Sequence, residues 1–349
     1  SYAILLISKT DKNKIFFAKK NSPLVIGKNE NGDILLASSD MPMIGKVNEA
    51  IYLDDDDYGF VAKNEIVLFS AETKKKLEFK KLAQDKLFTK KEGYRFFMEK
   101  EIYEQSSIIC DTLMGRVSDK IQFDELDLDL NIFSSITICA CGTSFHAGLS
   151  ARYLFERIAK VPTNIEIASE LRYREPVLDK NTLFISISQS GETADTLECL
   201  KMANAMGLNT LAICNVDNSS IVRLSNHYIL TRAGFEKGVA STKSFTTQLS
   251  VLWMLSVFIA QEKNIISKQE LAKEIQALLQ LHLVLEVPKQ LSEKVHRLSK
   301  RYLHGHGFFF IGRDIFYPLA LEGALKLKEL SYLHAEGYPA GERKHGPIA

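Results

Sequence analysis

The sequence predicts an α/β fold built on a doubly wound parallel sheet, preceded by a separate β-rich segment. Two patterns predict it. Between Ile132 and Ala260, short apolar runs alternate with amphipathic stretches of helical length, which is how βαβ units read. Before about residue 70, short apolar runs are split by turn residues, with no helical stretch between them. Composition sets the outer limits. Hydrophobic residues make up 46% of the 349 and charged residues 25%, with 19 Gly and 8 Pro. This excludes a disordered, collagen-like or linker-dominated chain.

Taken in order, Tyr2 to Ser8 and Ile15 to Ala18 flank the polar run Lys9 to Lys14 and read as a hairpin. Further short strands are expected at Ile34 to Ala37, Val47 to Leu53, Gly59 to Ala62 and Ile66 to Phe69. The acidic run Asp54 to Asp57 reads as a solvated turn, because four consecutive aspartates lack the alternate spacing of a calcium loop. From Ala71 to about Leu130, Lys and Glu become frequent. Within that stretch Tyr94 to Leu113 is helical, with Met98, Ile102, Ile109 and Leu113 on one side, and reads as a connector.

The second unit opens near Ile132. Strands are expected at Ile136 to Ala140, Asn164 to Ala168, Thr182 to Ile187, Thr210 to Cys214 and His227 to Thr231. Helices are expected at Phe145 to Ala159, Thr193 to Met206, Ile221 to Ser225 and Thr242 to Ala260. A polar helical region runs to about Leu303. The pattern then restarts with a strand at Phe308 to Ile311 and a helix at Ile315 to His334. A parallel sheet needs more than one strand, so the 349 residues are expected to be an internal part of a longer protein. The organisation expected is 1–85, β-rich; 86–130, helical connector; 131–265, first sheet domain; 266–303, helical linker; 304–349, the start of a second sheet domain.

The net charge of +1 gives no global pull toward nucleic acid or an anionic membrane. The longest uncharged stretch, Ser244 to Gln261, has 18 residues and carries several Ser, Thr and Gln, so it reads as a core helix rather than a membrane span. Five cysteines and no basic-then-apolar leader point to a reducing, cytosolic compartment.

Candidate chemistry sits at strand-to-helix junctions. Cys141-Gly142-Thr143-Ser144 follows one strand, and Ser188-Gln189-Ser190-Gly191-Glu192-Thr193 follows another. Ligands bind at the carboxyl ends of strands in open α/β sheets, and helix N-termini favour anions. With hydroxyls from Ser188, Ser190 and Thr193, this points to a phosphate monoester. No P-loop lysine and no G-x-G-x-x-G is present, so neither a nucleotide nor a dinucleotide cofactor is expected. Helix capping is the competing reading for each hydroxyl. A third such loop, Gly238 to Lys243, carries Ser241 and Thr242, for which a cap and a ligand contact are equally apt.

Glu322, Lys326 and Glu329 fall on one helical face, as either a surface salt-bridge stripe or a proton-shuttling group beside a sugar phosphate. Lys344-His345-Gly346-Pro347 reads as a compact turn presenting His345. His304 and His306 lack a third ligand, so no metal is expected, and Cys139 reads as core packing.

Together these loops, the Glu322 to Glu329 set, the Lys344 to Pro347 run and Met98-Glu99-Lys100-Glu101-Ile102-Tyr103-Glu104-Gln105 resemble the glutamine–fructose-6-phosphate aminotransferase (isomerizing) family. The resemblance runs over nearly the whole chain. It implies a glutaminase domain of the N-terminal-nucleophile type, whose C-terminal part would be the β-rich 1–85, followed by two sugar isomerase (SIS) domains. It implies fructose 6-phosphate and glutamine as substrates, glucosamine 6-phosphate as product, a homodimer, and no cofactor. By the same resemblance Ser188, Gln189, Ser190 and Thr193 hold the phosphate, while Thr143, Ser144 and Ser241 complete the sugar pocket. Glu329 would be the base acting between C1 and C2, Lys326 its electrostatic partner, and His345 a ring-opening residue supplied across a dimer interface. Two departures follow: Ser1 stands where the family's glutaminase needs a terminal Cys, and no residue matches the family's Schiff-base lysine. This stretch alone is therefore expected to hydrolyse no glutamine and complete no amination. A sugar-phosphate-sensing module and a simple phosphosugar isomerase remain as alternatives.

Overall fold

A computed structural model describes residues 2–82 and 91–346. The chain divides into two compact units, 1–90 and 91–349.

The first unit is all β. β1 (Tyr2–Ile7), β2 (Ile15–Lys20), β3 (Val25–Lys28), β4 (Ile34–Ala37), β5 (Glu49–Tyr52), β6 (Asp57–Ala62), β7 (Glu65–Ser70), β8 (Thr73–Lys74) and β9 (Lys80–Lys81) form two sheets, ordered β1-β2-β6-β7-β8 and β4-β3-β5-β9. The expected hairpin is present, with Tyr2 opposite Lys20 and Ile7 opposite Ile15. Phe17, Val61 and Leu68 of the first sheet meet Ile26 and Ile51 of the second in one apolar core. Sequence reasoning missed the two-residue strands β8 and β9, in the charged stretch after Ala71, and also β3. Its four residues are broken by Gly27, whose place is fixed by packing: a Cβ there would come within 2.7 Å of both Met43 and Val47. The acidic run is only partly a solvated turn. Asp57 is buried in β6, where its carboxylate accepts the Asp54 N–H at 2.9 Å and the Lys75 ammonium at 3.0 Å.

The second unit begins with α1 (Phe97–Leu113). Then follow β10 (Ser135–Ala140), α2 (Gly142–Leu154), β11 (Thr163–Ile167), α3 (Ala168–Leu171), β12 (Thr182–Ser188), α4 (Ala194–Ala205), β13 (Asn209–Cys214), α5 (Ser220–Leu224), β14 (His227–Leu230) and α6 (Lys243–Glu262). The five strands are parallel, in the order β11-β10-β12-β13-β14. Alternation along the strands sorts the two faces. Ile136, Ile138, Leu183, Ile185, Leu211 and Ile213 join the core under α2 and α6, whereas Cys139 and Phe184 pack with Cys199 and Ala203 of α4. Full burial of each such aliphatic side chain stabilises the fold by roughly 1.5–3 kcal/mol. The long apolar stretch is the buried helix α6, with Val251, Leu252, Leu255 and Ile259 inside. It has the length and apolar composition of a membrane span, but most of it is buried within this unit.

Most helix ends fall within a few residues of expectation, as α1 does at Phe97 rather than Tyr94, and two larger differences concern α2 and the last long helix. α2 starts at Gly142, not Phe145, so Thr143 and Ser144 belong to its first turn, and it closes in a π turn over Phe155–Ala159. The last long helix is shorter than expected. After α7 (Lys268–Leu279), α8 (Leu281–Val284), α9 (Lys289–Ser299) and β15 (Gly307–Gly312), α10 spans Phe316–Ser331. Tyr332 ends it in the left-handed region, at φ 57°. His334 then begins β16 (His334–Pro339), which pairs in parallel with β15, so the restarted pattern already holds two strands. The residues around His345 form a 3₁₀ segment, Ala340–His345, and Pro347 lies outside the described residues.

Candidate functional site

β10 and β12 are neighbours, and the chain leaves them toward opposite edges of the sheet. Their carboxyl ends therefore form a topological switch point, the place where open α/β sheets leave a crevice. A cavity of about 200 Å³ lies there, lined by Cys141, Thr143, Ser144, Ile187, Ser188, Gln189, Ser190, Thr193 and Ser241. All seven residues expected to bind the substrate are among them.

Local geometry explains why these hydroxyls are available. α2 and α4 begin at Cys141 and Thr193 without a side-chain cap, so their first-turn amides are left for a ligand. Ser188 Oγ accepts the Gly191 N–H at 2.9 Å and shares a hydrogen bond with Thr193 Oγ1 at 3.1 Å. Ser190 Oγ accepts the Glu192 N–H at 3.2 Å and keeps its own proton. Gly191 sits at φ +69°, and a Cβ there would lie 2.0 Å from Ser219 Oγ. Gly191→Ala is therefore expected to cost about 2–3 kcal/mol of stability through left-handed strain and overlap. Urea unfolding checks this, and an unchanged midpoint would remove the packing argument.

Thr143 and Ser241 are chemically different. Thr143 Oγ1 donates to Glu322 Oε1 at 2.9 Å and accepts from Lys326 Nζ at 3.0 Å. Ser241 Oγ donates to Glu236 Oε2 at 3.0 Å. Both hydroxyls have spent their proton on a carboxylate, so toward a ligand they can only accept. The cavity thus offers donors from the Ser188–Thr193 loop and acceptors from Thr143 and Ser241. That combination suits a ligand with both an anionic group and hydroxyl groups.

α10 is linked to the cavity by charge through Thr143, while Glu322, Lys326 and Glu329 are not themselves among its lining residues. Lys326 Nζ lies 2.8 Å from Glu329 Oε2 and 3.3 Å from Glu322 Oε1, and Glu322 Oε2 lies 2.7 Å from His146 Nδ1 on α2. Glu322 is only 6% exposed, so this is not a surface salt-bridge stripe. Burial pushes its carboxyl up, but hydrogen bonds from His146 and Thr143 and the Lys326 charge more than offset that and hold it below the usual carboxylate range. A carboxyl held low in the folded state adds stability that is fully present above the ordinary carboxylate pKa. That stability is lost as pH falls through the lower folded value. The stability gap between wild type and Glu322→Gln is accordingly expected to narrow on acidification. Urea titrations across acidic pH measure it, and a gap independent of pH would contradict the assignment.

His345 is not brought to this cavity. It is exposed on its 3₁₀ segment, with Nδ1 2.8 Å from Glu342 Oε2. Among the described residues no cluster of His, Cys, Asp and Glu is arranged to hold a metal. Capping at the third loop falls to a residue that sequence reasoning missed: Glu236 Oε1 accepts the N–H groups of Thr242 and Ser244, at 2.8 and 3.2 Å.

The SIS domain family matches residues 133–258. A solved structure, the C-terminal domain of glucosamine-fructose-6-phosphate aminotransferase from Francisella tularensis, is 44% identical with a TM-score of 0.72, and the match covers 74% of each chain. The chain belongs to the glutamine–fructose-6-phosphate aminotransferase family. Relatives bearing the name glutamine–fructose-6-phosphate aminotransferase (isomerizing) include those of Campylobacter jejuni, 59% identical, and Helicobacter pylori, 48% identical, each matching 100% of this chain. The chain spans 58% of the length of these curated relatives.

Within this aminotransferase-family chain, the hydroxyl loops were legible from their place after strands. His146 and Glu236 were not. His146 lies three residues after Thr143 on one helical face, and that spacing was the available signal. Cys141 lines the cavity as well, and burial pushes its thiol up, which keeps it neutral at physiological pH.

Proposed function

We propose that this chain carries the sugar-phosphate half of a cytoplasmic, homodimeric enzyme that converts fructose 6-phosphate and glutamine to glucosamine 6-phosphate. The observation that supports the reading is the cavity at the switch point, which combines the donors of the Ser188–Thr193 loop with the acceptors Thr143 and Ser241, and whose Thr143 is bonded in turn to Glu322 and Lys326. In this reading the phosphate sits among Ser188, Gln189, Ser190 and Thr193, over the free amides of α4. Thr143 and Ser241 accept from sugar hydroxyls, with Ser144 beside them. The Glu329 carboxylate takes the proton from C1 of the open-chain sugar and returns it at C2, or the reverse, so that the carbonyl moves by one carbon. Lys326 stabilises the negative charge that develops on oxygen in between. His345 opens the ring from the partner subunit, which accords with its exposed place away from its own cavity. Residues 1–85 are assigned to the C-terminal part of a glutaminase domain, 86–130 to a connector, 131–265 to the first SIS domain, 266–303 to a linker and 304–349 to the opening of the second.

Product analysis on the complete gene product with glutamine and fructose 6-phosphate tests the reading. Glucosamine 6-phosphate is the expected product. A folded protein that yields only an aldose 6-phosphate moves the reading to a phosphosugar isomerase, and one that binds sugar phosphate without turnover moves it to a sensor.

A further inference from the structure

The segment Met98–Gln105 resembles the family's connector, yet nothing in the proposed chemistry uses it. Its side chains are unusually committed for a connector. Glu101 is only 3% exposed, and its carboxylate accepts the backbone N–H of Lys237 at 2.5 Å and that of Gly238 at 3.0 and 3.1 Å. Glu104 Oε2 takes the buried Lys243 ammonium at 2.9 Å, and Gln105 Oε1 accepts from Thr246 Oγ1 at 2.5 Å. One face of α1 thus grips the residues on both sides of Ser241.

The loop from Ala233 to Thr242 is held at several points, among them the Lys237 ammonium 5.2 Å from the centre of the Phe97 ring. Asn215 holds its start, accepting the Ala233 N–H at 2.7 Å and donating to the Gly234 carbonyl at 2.7 Å. Glu236 ties Ser241 and the first amides of α6 at its end. Glu101 holds the stretch between. A Cβ on Gly238 would lie 2.4 Å from Glu101 Oε2, so the loop approaches this carboxylate more closely than a side chain would permit. Charge-assisted hydrogen bonds to backbone amides in a buried place are strong and directional.

We propose that Glu101 is a positioning residue for the sugar-phosphate cavity: through the Lys237 and Gly238 amides it fixes the loop that presents Ser241 to the ligand. The inference rests on reading that cavity as a fructose 6-phosphate site. It gives the connector helix a function in substrate affinity and makes α1 the element through which its own movement would be felt at the sugar.

The test uses the complete gene product, titrated calorimetrically with fructose 6-phosphate and assayed at saturating substrate. Glu101→Gln keeps the shape but loses the charge and one acceptor. It is expected to raise Kd and KM about tenfold, equivalent to about 1.4 kcal/mol of lost binding, with kcat within about twofold. Glu101→Asp restores part of the affinity. Ser106→Ala, which removes the 2.8 Å bond from the same helix to the His282 carbonyl and touches neither flank of Ser241, serves as the control: it lowers Tm but leaves Kd unchanged. If Glu101→Gln and Glu101→Asp bind like wild type while amide exchange shows that residues 237 and 238 have lost protection, the positioning role is overturned. An equal rise in Kd for Ser106→Ala overturns it too, since general loosening then explains the effect. Failure of the wild-type protein to bind the sugar overturns the reading of the cavity itself, and is told apart by the wild-type titration.

Discussion

Replacing Glu329 with Gln is expected to lower turnover at least about a hundredfold while leaving fructose 6-phosphate affinity within about threefold, because positioned general acid–base groups contribute roughly 10²–10⁴ in rate. The Glu329 carboxylate lies 2.8 Å from the Lys326 ammonium, which in turn donates to the cavity residue Thr143. The amide has the same size and still contacts Lys326, so the pocket keeps its shape and only the proton acceptor is lost. Solvent-proton exchange at C1 isolates the step from ammonia supply, and steady-state assays with calorimetry separate kcat from Kd. An isomerisation rate for Glu329→Gln near that of wild type would remove the residue from the mechanism.

Lys326→Met is expected to be more damaging, because it touches stability and chemistry together. Lys326 is the one cation contacting Glu322, Glu329 and Thr143 at once among the described contacts. Removing it leaves the buried Glu322 carboxylate with only His146 and Thr143 and brings it closer to its neutral form. Breaking a fully buried pair costs about 3–5 kcal/mol, and the partial exposure of Lys326 brings the expectation to about 2–3 kcal/mol. Turnover should fall by more than about a hundredfold, since positive charge beside developing oxyanions is among the larger catalytic terms. Chemical denaturation and the residual rate check the two halves. A variant as stable as wild type would mean that α10 is docked on α2 without the help of this charge. Lys326→Arg is expected to recover stability better than rate, because the guanidinium keeps the charge but not the compact geometry.

Much of this is legible in the chain itself. Strand order could not be read, but the runs Ile136 to Ala140 and Thr182 to Ile187 are continuous apolar segments ending in hydroxyl loops. In a parallel sheet such ends are where ligands gather. What misled was local. Thr143 and Ser144 looked like a loop because hydroxyl residues favour turns, but Gly142, at φ +54°, opens the helix earlier. Ile315 to His334 looked like one helix because its apolar spacing continues past Ser331. The stop at Tyr332 is a backbone event without a Gly or Pro to announce it. The competition between cap and ligand at Ser241 could not be decided from the segment itself, since the answer is a carboxylate five residues upstream folding back onto the helix end.

The sequence by itself determined the alternation of strand and helix, the hydroxyl-rich junctions and the charged face of α10, because each is a matter of spacing along one element. Only the tertiary structure decided which of those groups meet. It set Glu322 against Thr143 and His146, aimed Ser241 into the cavity, and laid Glu101 on a loop more than 130 residues away. The reason is physical. A hydrogen bond depends on distances of about 3 Å between atoms that chain topology brings together. Periodicity along the chain carries no information about that approach.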